Sequence, residues 1–310
     1  MNEAASAIFE AMMAEAAGMA PLPCAVVHPC DRDSLQGAVA AAQAGLIRPV
    51  LVGPPAKIQA AAAAAGADIS DLELIPTEHS HEAAERAVAL ARAGAVGALM
   101  KGSLHTDELM AAVVAKDGGL RTARRTSHVF VMDVPAYDRL LLISDAAINI
   151  YPTLAEKADI LQNAIDVARA LGIIPPKVAI LSAVETINPK LPTTLDAAAL
   201  CKMADRGQIT GAIVDGPLAF DNAISAEAAH AKGIASPVAG QADILLVPDL
   251  EAGNMLAKQL SYFAGARSAG IVMGARVPIM LTSRADHAAT RLASAAVAVK
   301  VARARAAIVS

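Results

Sequence analysis

The sequence has no tryptophan, and aromatic residues make up only 2% of it. A core for 310 residues must therefore be built from Ala, Val, Ile, Leu and Met, within a hydrophobic content of 55%. Basic blocks are also missing. The 26 Lys and Arg are outweighed by 30 Asp and Glu, for a formal net charge of −4. With no basic block and no aromatic interleaving, nucleic acid is not an expected partner. Cysteine is scarce: Cys24, Cys30 and Cys201 form an odd set with no CxxC pair. That argues against a disulfide framework or a zinc site and suits a reducing cytosol, so a cytoplasmic location is expected. No apolar run reaches membrane-spanning length. The first residues, Met1–Met19, carry Glu3, Glu10 and Glu15 without a basic residue, unlike a signal peptide.

What is present is an alternation of short β-rich runs and alanine-rich helices. The first strands are expected at Cys24–Val27, Pro49–Val52, Leu72–Ile75 and Val96–Met100. Helices are expected at Ser34–Ala44, Lys57–Ala65, His81–Ala93 and Thr106–Val114. This order implies an α/β fold with mainly parallel sheets covered on both faces. Two strands, His128–Asp133 and Leu140–Ile150, flank a turn at Pro135–Asp138. The domain change is expected near there, giving one domain of residues 1–143 plus 284–310 and a second of 144–283. In the second, Thr153 and Glu156 form a capping box for a helix that stops at Gly172. Strands are expected at Val178–Ser182, Ala212–Val214 and Ile244–Val247, with helices near Thr194–Asp205, Ala223–Ala231 and Gly253–Ala264. A last helix is expected from Ala285 to about Arg305.

In parallel sheets, ligands bind where strand C-termini meet helix N-termini. Five polar turns fall at such places. Lys101-Gly102-Ser103-Leu104-His105-Thr106 offers a point charge, a glycine for close backbone approach and two hydroxyls, although Thr106 could simply be an N-cap. It is not a P-loop, because GxxxxGK[ST] is absent. Arg121, Arg124 and Arg125 could grip a phosphate through their planar forks, or form an ordinary solvated basic loop. Asp215-Gly216-Pro217 places a carboxylate at a sheet edge, in residues that also favour plain turns. Asp249-Leu250-Glu251-Ala252-Gly253-Asn254 concentrates two carboxylates and an amide. No His lies nearby, and the spacing suits no standard zinc site. Finally, Thr282-Ser283-Arg284-Ala285-Asp286 follows the apolar run Ile279–Leu281 and opens the last helix. Ser283 and Asp286 fit an N-capping box, and the same turn would aim helix amides at an anion.

Taken in order, these segments resemble the phosphate acetyltransferase/phosphate butyryltransferase family. Val247-Pro-Asp-Leu-Glu-Ala-Gly-Asn254 is similar to its PDL-x-AGN segment, and Asp215-Gly-Pro-Leu-Ala-Phe-Asp221 to its DG-x-L-x-FD segment. Lys101-Gly-Ser-Leu-His-Thr106 is similar to its (K/S)G-x-x-HT segment. Arg124-Arg-Thr-Ser-His-Val129 and Thr282-Ser-Arg-Ala-Asp286 resemble its butyryltransferase-like branch. The likeness runs from about residue 20 to the end. It implies two α/β domains with an active cleft between them, in an isocitrate/isopropylmalate dehydrogenase-like architecture. It also implies a homodimer with no metal and no tightly bound cofactor, using coenzyme A as substrate. The implied reaction exchanges a short acyl group between CoA and inorganic phosphate.

Ser283 and Arg284 match the family's catalytic Ser-Arg pair. The acetyltransferase branch carries an Asp seven residues after that Ser. Here the position is Thr290, and Asp286 is the candidate substitute. The substrate-binding candidates are Lys101, Ser103, His105, Thr106, Arg125, Asp215, Asp249 and Asn254. Acetyl-CoA is the first expectation for the donor and butyryl-CoA the alternative. Two competitors remain. A dehydrogenase on the same architecture would want a nucleotide-binding loop, and no GxGxxG is present. The other is a non-catalytic CoA- or phosphate-binding relative.

Overall fold

The structure, a computed structural model, describes residues 3–282 and 288–309. The chain opens with helix α1 (Glu3–Ala17). A βα series follows: β1 (Leu22–Val27), α2 (Arg32–Gln43), β2 (Ile47–Gly53), α3 (Pro55–Ala65), β3 (Glu73–Pro76), α4 (Ser80–Arg92), β4 (Ala98–Lys101) and α5 (Thr106–Val113). The middle carries β5 (Ser127–Asp133), β6 (Leu141–Ser144), α6 (Leu154–Ala170), β7 (Lys177–Leu181), α7 (Pro192–Asp205) and β8 (Ile213–Leu218). It continues with α8 (Phe220–Ile224), α9 (Ala226–Ala231), β9 (Ile244–Leu246) and α10 (Leu250–Tyr262). The chain then returns through β10 (Arg267–Met273), β11 (Ile279–Met280) and α11 (Ala288–Val309).

Two compact units result. A middle unit comprises Met1–Phe9 and Ser127–Ser268, and a terminal unit comprises Glu10–Thr126 and Ala269–Ser310. The divisions fall earlier than the expected 143/144 and 283/284, and strand pairing explains both shifts. β5 pairs antiparallel with β6, and β6 pairs parallel with β9, which draws both into the middle unit. β11 pairs antiparallel with β10 and parallel with β4, which draws that hairpin into the terminal unit.

In the terminal unit the strand order is β3-β2-β1-β4-β11-β10. The chain steps outward from β1 to β3, then crosses back to lay β4 on the other side of β1. That reversal makes the β1/β4 boundary the topological switch point, where a crevice opens at the strand C-termini. Val26, Leu51, Leu99 and Ile279 are fully buried here. β4 is buried along its whole length, as a parallel strand covered on both faces should be. Local chemistry sets the helix limits. Asp31 accepts the Ser34 N–H at 2.7 Å to start α2. Pro55 sits in the first turn of α3, and Gly66 ends it in the left-handed conformation at φ 62°. In α11, Ala293, Ala295, Ala296 and Ala298 are buried, so small side chains keep this helix close to its neighbours.

The middle unit repeats the logic with the order β5-β6-β9-β7-β8, and its reversal lies between β7 and β9. Leu141, Ile143, Ala179, Leu181, Leu245 and Val247 belong to its apolar core. The predicted capping box is present: Thr153 Oγ1 accepts the Glu156 N–H, and Glu156 Oε2 accepts the Thr153 N–H at 2.9 Å. Two expectations are corrected. The strand read as Leu140–Ile150 stops at Ser144, because the Asp145 carboxylate captures the next backbone donors. Its Oδ1 accepts from Ala147 at 2.9 Å and Ile148 at 3.1 Å, and its Oδ2 accepts from Asn149 at 3.1 Å. The helix read as Ala223–Ala231 is broken at Ser225, whose hydroxyl caps α9 through the Ala228 N–H.

Candidate active site

The two units carry separate groups of the residues singled out in the sequence. In the terminal unit, β4 ends at Lys101, which is 4% exposed. Gly102 follows against the end of β1. A Cβ at this position would lie 2.4 Å from the Val27 carbonyl oxygen and 2.5 Å from that of His28, so no other residue fits without displacing backbone. Ser103 comes next and joins the two turns: its Oγ lies 2.8 Å from His28 O, 3.2 Å from Cys30 N and 3.2 Å from His28 Nδ1.

His105, not Thr106, is the residue before the first helical turn of α5. It is exposed, and its side chain makes no cap hydrogen bond. Thr106 is the first helical residue, so the reading of Thr106 as N-cap does not hold. Glu108, also in this first turn, accepts from Ser80 Oγ at 2.5 Å, and that bond lowers its pKa.

Arg125 is exposed, and its backbone is pinned to the β10–β11 turn. Gly274, at φ 84°, would place a Cβ 2.2 Å from Arg125 O. Thr122 Oγ1 donates to Gly274 O at 2.6 Å, and the Arg276 N–H donates to Leu120 O at 2.9 Å. The basic loop is thus fixed to the hairpin whose second strand runs into Thr282. Ser283, Arg284 and Asp286 lie outside the described residues. Their flanks are described. Thr282 is buried, and Arg291 of α11, 3% exposed, donates through Nη1 to Thr282 Oγ1 at 2.9 Å and to Lys101 O at 3.3 Å. One guanidinium therefore ties the C-terminal ends of β4 and β11. Its stem runs past Gly37 of α2, where a Cβ would fall 2.3 Å from Arg291 Cδ.

The middle unit holds Asp215, Asp249 and Asn254. Asp215 lies on β8, the last strand in the order, and its Oδ1 accepts the Gly216 N–H at 2.9 Å. Asp249 is the N-cap of α10 and accepts the Ala252 N–H at 2.9 Å. Asn254 donates to Ala146 O at 3.2 Å and so buttresses the Asp145 turn. Gly253 lets α10 approach that turn, since a Cβ there would meet Asp145 O at 2.9 Å. The conspicuous acidic motif is largely a device for joining one turn to another.

Cysteine chemistry is suppressed. Burial pushes the Cys30 thiol up to about 11, and burial followed by the neighbouring Asp215 and Asp205 carboxylates pushes Cys201 up to about 12. Both remain thiols at neutral pH and are poor nucleophiles. Among the described residues, no group of three or more His, Cys, Asp or Glu is arranged to hold a metal ion, and no helix is long and apolar enough to cross a membrane.

Sequence reasoning missed three residues. His28 was overlooked because the turn after the first strand carries no motif. Arg291 was read as part of an alanine-rich helix, and nothing in one sequence marks it as buried. Asp145 was absorbed into a strand. A carboxylate two residues before a string of donors was the available signal.

The family model described as Phosphate acetyl/butaryl transferase matches residues 77–299. A phosphate acetyltransferase of Rhizobium meliloti is 61% identical over 290 residues, covering 94% of this chain and 92% of the relative. A phosphate butyryltransferase of Clostridium acetobutylicum is 46% identical over 272 residues, covering 88% and 90%. Among solved structures, a branched-chain phosphotransacylase from Enterococcus faecalis V583 superposes with a TM-score of 0.78 at 29% identity, covering 91% of this chain and 99% of that one. On this likeness of sequence and fold, the chain belongs to the phosphate acetyl/butyryl transferase family.

Proposed function

We propose that the protein exchanges a short acyl group between coenzyme A and inorganic phosphate, with acetyl-CoA + phosphate = acetyl phosphate + CoA as the principal reaction. The 61% identity to a phosphate acetyltransferase across 94% of the chain carries this reading. Butyryl-CoA is the second donor. It is favoured by the Arg124–Val129 and Thr282–Asp286 segments, which resemble the butyryltransferase-like branch, and by a 46% identical relative of that name.

In the acetyl-CoA-forming direction, the thiol loses its proton and the sulfur attacks the acyl phosphate carbonyl. The C–O bond to phosphate then breaks. Lys101 and Arg125 hold the phosphate, with Ser103, His105 and Thr106 supplying polar contacts around it. Arg284 stabilises the developing oxyanion as a fixed donor, Ser283 hydrogen-bonds the same oxygen or the leaving phosphate, and Asp286 takes the thiol proton. Asp215, Asp249 and Asn254 contribute the turns on the middle unit. Holding both substrates together removes much of the entropic barrier without an acyl-enzyme, in keeping with the raised Cys30 and Cys201 thiols.

The working form is proposed to be a cytoplasmic homodimer, without a tightly bound cofactor or a metal. The deciding experiment measures phosphate-dependent thiol release from acetyl-, propionyl- and butyryl-CoA. Fastest turnover of acetyl-CoA is expected. A preference for butyryl-CoA selects the second reading, and no phosphate-dependent release from any donor overturns both. Activity is expected to survive EDTA; loss restored by a divalent cation would contradict metal independence.

A further inference from the structure

His28 sits immediately after β1, on the β1 side of the switch-point crevice whose β4 side carries Lys101, Gly102 and Ser103. Among the described residues it is the non-glycine residue at positive φ, 54°. A histidine in this region is uncommon and persists where its surroundings over-determine it. They do so here. The His28 N–H donates to Val52 O at 2.7 Å, while His28 O accepts from the Ser103 and Cys30 amides, each at 2.9 Å. The ring is half-buried.

The hydrogen bonds around Ser103 fix the imidazole tautomer. A serine hydroxyl has one hydrogen to give. The shortest contact of Oγ is 2.8 Å, to His28 O, a carbonyl that can only accept. With its hydrogen committed there, Oγ acts as acceptor toward the Cys30 N–H and toward Nδ1, both at 3.2 Å. The Nδ1 atom therefore carries the ring hydrogen, and Nε2 carries the lone pair.

The charge state agrees. Burial and the Lys57 ammonium lower the His28 pKa, outweighing Glu108, the histidine's own backbone bond and Asp31, which raise it. The imidazole is neutral at pH 7. These groups reach it from α3 (Lys57), α5 (Glu108) and the cap of α2 (Asp31), while Cys30 beside it remains a thiol.

We infer that His28 is a further residue of the phosphate subsite, with Nε2 accepting the hydrogen of monohydrogen phosphate beside Lys101. This rests on the acyltransferase reading above. In the acetyl phosphate-forming direction, a phosphate oxygen forms the new C–O bond as the C–S bond to CoA breaks. One hydrogen leaves phosphate for His28 Nε2 and passes to solvent, and one hydrogen is taken up by the departing thiolate. A residue that holds phosphate only by charge cannot select its monohydrogen form. A neutral imidazole with its lone pair on Nε2 can.

The test joins spectroscopy to kinetics. Long-range 1H–15N correlation of the wild-type protein should show His28 as the Nδ1–H tautomer at pH 7 and above, with an Nε2 shift that moves on adding inorganic phosphate. His28→Asn serves to assign the signal, since Asn tolerates the left-handed backbone. It should lower kcat/KM for phosphate about 100-fold, on the scale of a lost proton-transfer group. With kcat/KM expressed per monohydrogen phosphate, so that the titration of phosphate itself is removed, the remaining acidic limb of the pH profile should disappear, and KM for acetyl-CoA should hold. Ser103→Ala should convert the ring toward Nε2–H and lower kcat/KM for phosphate in the same sense. An Nε2–H tautomer in the wild type, an Nε2 shift indifferent to phosphate, or a folded His28→Asn with normal kcat/KM for phosphate would each overturn the assignment. Absence of phosphate-dependent thiol release in the wild type would instead overturn the acyltransferase reading, while the phosphate titration of Nε2 still reports on the subsite.

Discussion

The two switch points are built alike and equipped differently. At β1/β4 in the terminal unit, the polar groups come from separate strands and helices, and hydrogen bonds between those elements hold them. Ser103 binds across to His28, and Arg291 reaches from α11 to the ends of β4 and β11. At β7/β9 in the middle unit, the Asp249 carboxylate caps the helix that follows it. Asp215, on the neighbouring β8, turns back onto the adjacent amide. A carboxylate satisfied by its own backbone shapes a turn. The His28 imidazole is held instead by a hydroxyl from another element, Ser103 after β4. Motif density is thus a poor guide to which turn carries chemistry: the acidic PDLEAGN segment is the more conspicuous in sequence and the more locally occupied in structure.

The largest effect that would sharpen this contrast is expected at Arg284. Arg284→Ala should lower kcat by roughly 100-fold or more with the fold intact, the scale of losing one oxyanion donor. Arg284→Lys should recover only part of it, since a point charge cannot reproduce the planar fork. A normal kcat in folded Arg284→Ala would remove the Ser-Arg turn from the site and break the contrast outright.

A smaller effect is expected at the β1/β4 contact. Gly102→Ala forces a Cβ to within 2.4 Å of Val27 O and 2.5 Å of His28 O. Backbone must move, at a cost of about 1–3 kcal/mol for overpacking. Because the displaced backbone is that of His28, activity should fall further than the loss of folded protein explains. Parallel denaturant titration and phosphate-dependent kinetics check this. A full kcat/KM per folded molecule would mean that the contact serves stability alone.

Gly37→Ala probes the same side at a distance. Its Cβ would overlap the Arg291 stem at 2.3 Å, while Ala on α2 favours helix. A lowered kcat with a melting temperature within a few degrees is expected, because the guanidinium that ties Thr282 to Lys101 must move. An unchanged kcat would show that the tie is dispensable.

Much of this architecture was legible in the sequence because parallel strands buried on both faces read as short apolar runs, and because helix punctuation is local. Thr153, Glu156 and Gly172 all act where the sequence places them. The failures share a cause. Leu140–Ile150 reads as one apolar run until the Asp145 carboxylate is seen to gather amides that a longer strand would need. The domain limits depend on which strand pairs with which, and pairing of β5 with β6 or β11 with β4 is not written in either segment alone. His28 and Arg291 are defined by partners 75 and 190 residues away. Local pattern cannot carry contacts of that range. The family resemblance supplied the turns but not these supports.

The smallest effect is expected at Asp249, and it separates shape from charge. The side chain caps α10 through one oxygen. Asp249→Asn keeps an acceptor for the Ala252 N–H and removes the charge. Asp249→Ala removes both. If the residue chiefly holds the turn, Asp249→Ala should cost about 0.5–2 kcal/mol of stability, as lost caps do, and Asp249→Asn only a small part of that. Kinetically, Asp249→Asn should stay within about twofold of wild type, because a cap needs an oxygen and not a charge. The measurement is a chemical melt of both variants beside kcat and KM for each substrate. A stable Asp249→Asn protein that loses tenfold or more in kcat/KM would show that the carboxylate charge itself acts on a substrate. The β9 turn would then stand level with the β4 turn, and the division between a turn that builds and a turn that reacts would fail.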